Sequence, residues 1–151
     1  MDNNQKAKIA DFVKKLKQIQ PKHGRDIGLI VTAGENLADI QAAFPNPNSV
    51  SLYETTEDVD NIIKNILQDL KSEKDVLLKL SDWLDPSLYN QLYLISCSGR
   101  ADYFLPEGSI TFDIPKNSVL VLTIDSGDLE RLNYKDFLNI CGPVLRLDGG
   151  K

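Results

Sequence analysis

The stretch from Asp26 to Ala43, DIGLIVTAGENLADIQAA, constrains this chain most. Ile27, Leu29, Ile30 and Val31 form a short apolar run rich in β-branched residues, which suits a strand buried on both faces of a sheet. Thr32, Ala33 and Gly34 then make a tight loop. A helix follows, with Leu37, Ala38, Ile40 and Gln41 at helical spacing. Strand, glycine-containing loop and helix is the layout that holds a phosphate on helix-end N–H groups. A phosphate loop also needs Lys to neutralise the phosphate and Ser or Thr to hold Mg²⁺. Here Gly34 is followed by Glu35 and Asn36, and a carboxylate at the lysine position repels a triphosphate. The stretch therefore reads as a βα turn with an acidic first helical turn, which suits the helix dipole.

The rest of the chain repeats this alternation. Ile9, Phe12, Val13, Leu16 and Ile19 form one stripe of an amphipathic helix over residues 5–20, ended by Pro21 and Gly24. Ser49–Tyr53 alternates as a strand, and Thr56 is placed to cap a helix from about Glu57 to Leu70 or Ser72. Asp75–Leu80 is a third apolar run. Asp85 and Pro86 open a helix that either continues or passes into a strand near Leu94–Ser96. Tyr103–Leu105 and Ser109–Ile114 read as the arms of a β-hairpin around Pro106-Glu107-Gly108. Val119–Ile124 is the clearest buried strand. Asp125–Asp128 reads as a loop, Leu129–Ile140 as a helix ended by Gly142, and Pro143–Leu147 as the last strand. The expected fold is α/β: a parallel sheet sandwiched by helices in three layers, like P-loop NTPase and Rossmann folds, with an inserted hairpin. The expected organisation is an N-terminal amphipathic basic helix over 1–24 and a single α/β domain over 25–151.

The order of these parts resembles the nucleotide-binding core of an AAA+ ATPase that carries a hairpin between conserved blocks. The likeness runs from about Arg25 to Leu147. DVLLKLSDWLDPSLYNQL looks like the strand bearing the acidic Mg²⁺ and water-activating pair, with its following helix. GSITFDIPKNSVLVLTID looks like the hairpin arm and sensor strand, and DLERLNYKDFLNICGPVLRL like the closing helix and strand. The resemblance implies Thr123 as the polar sensor and Asp82 as a remnant of the acidic pair. Lys79, Leu80 and Ser81 otherwise occupy that region, and Asn139 and Cys141 stand where a trans-acting Arg is expected, with Arg131 a few turns earlier. On this resemblance the likeness stops near Leu147, before the family's helical lid. Family members stabilise the transferred phosphate with Lys, Mg²⁺ and Arg charges. The resemblance therefore implies a degenerate, non-hydrolysing member.

Charge separates the possible partners. The net charge is −5, yet residues 6–25 hold Lys6, Lys8, Lys14, Lys15, Lys17, Lys22 and Arg25 against Asp11 alone. The body is acidic and a poor nucleic-acid surface. No apolar run approaches a membrane span, and the polar start, Met1-Asp-Asn-Asn-Gln, does not read as a signal peptide. Cys97 and Cys141 lack metal-ligand spacing, and His23 is the only histidine. These features point to a reducing, cytoplasmic setting, and they supply an ordinary catalytic triad poorly.

Three function classes follow. The first is a non-catalytic interaction or assembly module with no cofactor, docking on another protein, an active ATPase or a second copy. Its contact residues would be Lys14, Lys15 and Lys17 of the basic helix, or Tyr103, Phe104 and Phe112 of the hairpin. The second is a nucleotide or small-ligand binder using Gly34, Asn36, Asp82 and Thr123 above the strand ends. The third is an enzyme using Cys97 beside the Ser98-Gly99-Arg100 turn, against which stands the ordinary burial of free cysteines. Asp82, Asp85, Asp125 and Asp128 also follow apolar strands and could gather a divalent cation, although such positions commonly cap helices. Trp83 would be an anchor if exposed.

Overall fold

In the computed structural model, residues 1–18, 27–55, 58–132 and 140–149 are described. Strand β1 (Ile27–Thr32) is buried along its whole length, as its unbroken apolar run demands. It lies inside a five-stranded sheet of order β2-β3-β6-β1-β7, in which every pairing is parallel. The other strands are β2 (Val50–Glu54), β3 (Asp75–Lys79), β6 (Leu120–Asp125) and β7 (Cys141–Arg146). Strands β4 (Arg100–Leu105) and β5 (Gly108–Asp113) form a separate antiparallel pair, the expected hairpin.

Connection handedness decides where the helices go. The path β1 to β2 crosses the sheet one way, and β2 to β3 to β6 to β7 returns the other way. Right-handed crossovers then place α2 (Leu37–Ala42) on one face, and α3 (Val59–Lys71), α4 (Pro86–Ser98) and α5 (Ser126–Arg131) on the opposite face. The cores agree. Ile30, Leu77 and Val121 pack with Ile40 of α2 and with Ile9, Val13 and Leu16 of α1 (Asn3–Gln18). Leu29, Val31, Val76, Leu78 and Leu122 pack with Ile63, Ile66 and Leu67 of α3, Leu88, Leu92 and Ile95 of α4, and Leu129 of α5.

Helix α1 is bound to the sheet by more than its apolar stripe. A Cβ at Gly28 would lie 2.5 Å from Leu16 Cδ1 and 3.0 Å from Phe12 Cε2, so the missing side chain lets the helix approach the strand. At the end of α1, Lys17 Nζ lies 2.9 Å from Asp75 Oδ2. Asp75 is 2% exposed, and its other oxygen accepts the Val119 N–H at 3.2 Å.

Local details differ from the expected boundaries for identifiable reasons. Asp58 caps α3 by accepting the Asp60 N–H; Thr56, expected in that role, lies outside the described residues. Helix α4 runs unbroken through Leu94–Ser96 to Ser98, and Gly99 ends it at φ 65°. Asp125–Asp128 is no loop: Ser126 opens α5, which stops at Arg131, where Leu132 turns extended. The rest of the expected closing helix, 133–139, is outside the described residues. Strand β7 starts at Cys141, so Gly142 lies within it. Ile27 and Leu29 of β1 pair with Cys141 and Val144, which leaves an extra residue in β7 and accommodates Pro143 on an edge strand.

Candidate functional site

The chain reversal fixes the place to look. β1 and β6 are neighbours, yet their following segments leave toward opposite faces, and ligands of open α/β sheets bind in such crevices. Thr32 and Asp125 are register partners at the two strand ends, and Thr32 Oγ1 donates to Asp125 Oδ1 at 3.0 Å. The rim of the crevice is thus clasped by its own side chains.

The loop above it also answers its own donors. Ala33 N–H donates to Glu35 Oε2 at 3.0 Å, and Gly34 N–H reaches Thr32 Oγ1 at 3.4 Å. Glu35 places a carboxylate on a backbone donor that a phosphate loop would offer to its ligand. Gly34 sits at φ 107°, a conformation that favours glycine, with open space around its Cβ direction. Asn36 caps α2, its Oδ1 accepting the Ala38 N–H at 2.7 Å.

The four predicted ligand residues occupy different environments. Thr123 is 2% exposed and donates its hydroxyl to the Ile30 carbonyl at 3.0 Å, inside the sheet rather than on its rim. Asp82 is exposed on the β3–α4 loop, Gly34 is exposed, and Asn36 is committed to its cap. Among the described residues, no hydrogen bond or ion pair joins any two of these four. Asp85 caps α4 by accepting the Ser87 N–H at 2.8 Å, Asp125 accepts from Thr32, and Asp128 pairs with Arg131 at 3.4 Å. Among the described residues, no group of three or more His, Cys, Asp or Glu could hold a metal ion. His23 lies outside the described residues.

The two cysteines differ sharply. Cys141 is half-buried, and burial pushes its thiol up to about 12. Cys97 is exposed near the end of α4. Its neighbour Tyr93 is held above its ordinary value first by a hydrogen bond with Cys97, so the phenol is poorly suited to act as its base.

The predicted contact residues divide by strand alternation. Ala101, Tyr103, Ile110 and Phe112 share the inner hairpin face and pack against the α3–α4 core. Arg100, Asp102, Phe104, Ser109, Thr111 and Asp113 share the outer face, where Phe104 is 79% exposed. Lys71 Nζ lies 5.9 Å from the Phe112 ring centroid. Tyr103 donates its hydroxyl to Asp60. Burial, then that bond and the Asp60, Asp58 and Asp85 carboxylates, push the Tyr103 phenol up to about 12. In α1, Lys14 is exposed, Lys15 pairs with Asp11 at 2.9 Å, and Lys17 is turned onto Asp75.

Two exposed aromatics extend this list. Trp83 is 62% exposed and Tyr93 46% exposed. The signal for Tyr93 was present in the sequence: α4, PSLYNQLYLISCS, carries no charged residue. Among the described residues, no helix is long and apolar enough to cross a membrane. No protein-family model matches the chain, and no curated protein matches it.

Proposed function

We propose that this chain is a non-catalytic protein-interaction or assembly module, built on an α/β core whose phosphate-loop position has been turned to a structural use. The observation that carries the reading is Phe104, 79% exposed on an otherwise polar hairpin face. An exposed aromatic on a two-stranded ribbon supplies both an apolar anchor and strand edges for a partner. The basic outer face of α1, with Lys14 exposed, is a second contact for an acidic partner. Kinship to AAA+ ATPases is part of this proposal; the hairpin, inserted before the fourth strand of the parallel sheet, supports it. Docking on an active ATPase in the cytoplasm follows from the same reading, and two free cysteines fit a reducing compartment.

Removing the whole hairpin would confuse binding with folding, because Ala101 and its inner-face neighbours belong to the core. Phe104→Asp changes only the outer face. Tagged full-length chain and this variant should melt alike, and only the unsubstituted chain should retain its co-purifying partner. Equal retention by both would refute the hairpin contact.

A second reading, a nucleotide or small-ligand binder, is favoured by the crevice between β1 and β6. It requires a ligand to displace Glu35 from Ala33 and to tolerate the Thr32–Asp125 clasp.

A further inference from the structure

Helix α4 presents chemistry that the hairpin and α1 contacts leave unused. Its inner face, Leu88, Gln91, Leu92 and Ile95, is buried in the core. By helical spacing its outer face carries Pro86, Asn90, Tyr93 and Cys97, with Tyr89 half-buried at its margin against the core, and all thirteen residues of the helix are uncharged. By contrast, α1 exposes Lys8, Asp11, Lys14 and Lys15. Solvated helix faces are ordinarily charged, whereas interface cores lose charge and gain Tyr and Trp.

The face is built as a surface rather than left as a gap. Tyr89 and Tyr93 stack, with ring centroids 6.4 Å apart and planes at 23°. The Ser96 and Ser98 hydroxyls turn back onto the Tyr93 and Leu94 carbonyls at 2.9 and 2.7 Å, which withdraws their polarity from the surface. Trp83, 62% exposed, stands two residues before Asp85, the N-cap of the helix.

Charge at the two ends selects the occupant. Asp82 and Asp85 flank Trp83, and Asp85 lies close enough to Asp58 and Asp60 for all three to act on Tyr103. At the other end, Arg100 is answered by Asp102 at 3.3 Å and Asp113 at 3.8 Å, which leaves that end acidic as well. A second copy packed on this face, parallel or antiparallel, would set acidic ends against acidic ends. A cationic partner gains at both ends.

From these observations we infer that the outer face of α4 with Trp83 docks a basic amphipathic helix of another protein, its apolar side on Tyr89, Tyr93 and Trp83 and its Lys or Arg residues toward Asp82, Asp85 and Asp102. This deepens the interaction-module reading and rests on it; its anchors are on α4 and the loop before it, and it meets the hairpin face of Phe104 only at Asp102.

Trp83 is the only tryptophan in the chain, so its fluorescence reports this surface directly. The probes are a synthetic amphipathic Leu/Lys helical peptide and its Leu/Glu counterpart, added to the full chain at physiological salt. The Leu/Lys peptide should shift Trp83 emission to the blue saturably and protect it from acrylamide quenching; the Leu/Glu peptide should do neither. Tyr93→Lys, or Asn90→Lys on the same exposed face, should weaken the Leu/Lys response about tenfold or more, as a buried unpaired charge must. Unchanged emission with both peptides, equal responses to both, or full affinity in the two Lys variants would overturn the inference. So would a dimer in sedimentation that Tyr93→Lys dissolves, since the occupant would then be a second copy. If the Leu/Lys peptide binds with Trp83 silent and Phe104→Asp abolishes that binding, the α4 inference fails and the module reading stands.

Discussion

Lys17→Met isolates the energetics that make α1 part of the domain. The substitution keeps the aliphatic stem and the helix propensity but removes the charge 2.9 Å from Asp75 Oδ2. Asp75 then retains one partner, the Val119 N–H at 3.2 Å, inside a site only 2% exposed. Breaking a fully buried ion pair costs roughly 3–5 kcal/mol because a bare charge remains. The Lys17 side chain is 28% exposed, so water can reach the vacated ammonium position and reduce that cost. An expected loss of about 2–3 kcal/mol follows, or roughly 4–12 °C in Tm for a domain of this size. Urea denaturation followed by circular dichroism measures it. Asp75→Asn, which keeps an acceptor for Val119 and carries no charge, should cost less than Lys17→Met. The double variant should be more stable than the sum of the single losses implies. A loss below about 0.5 kcal/mol for Lys17→Met would mean instead that Asp75 is hydrated in the folded chain and that the pair contributes little.

Other outcomes follow from the same packing. Gly28→Val should destabilise by about 1–3 kcal/mol in urea, and Gly28→Ala by less, because Leu16 Cδ1 is the end of a movable side chain whereas the Phe12 ring also closes on the site. With a thiol reagent near neutral pH, Cys97 should react promptly and Cys141 far more slowly until the chain unfolds, since Cys141 is half-buried and its thiol is pushed up to about 12. The Cys141 thiol and the Tyr103 phenol are neutral acids whose folded values are raised, so their contribution is present below the unfolded values and is lost as pH rises toward about 12. Stability should therefore fall above about pH 9–10, and Tyr103→Phe should make that fall shallower when Tm is followed against pH.

Strand β1, the following turn, strand β6 and the hairpin were legible because each is written in consecutive residues: apolar runs for the strands, Gly34 and Pro106-Glu107-Gly108 for the turns. What the residues could not announce depends on distant partners. Tyr103 and Phe104 are adjacent, and alternation says that they face opposite ways; only the packing of α3 and α4 decides that Tyr103 is the inner one. Tyr93-Leu94-Ile95 suits a strand as well as a helix, and the burial of Leu88, Leu92 and Ile95 on one face resolves it. Asp75 reads as a polar strand start until Lys17 and Val119 are brought to it from separate segments. At the candidate site, Glu35 was visible as an obstacle to phosphate, but its bond to Ala33 N–H is a matter of loop geometry.

If the rim of β1 is closed to phosphate and the chain acts through its surfaces, nucleotide should leave its stability unchanged. A thermal-shift titration with ATP and ADP, with and without Mg²⁺, tests it most directly. A ligand at 100 times its Kd stabilises the native state by about 2.7 kcal/mol, a rise of several degrees that is easily read. No shift is expected at millimolar nucleotide, because Glu35 already occupies the Ala33 donor and opposes added negative charge. A saturable rise with either nucleotide, lost when Thr32→Ala and Asn36→Ala alter the β1–α2 loop, would contradict it and make the crevice a binding site.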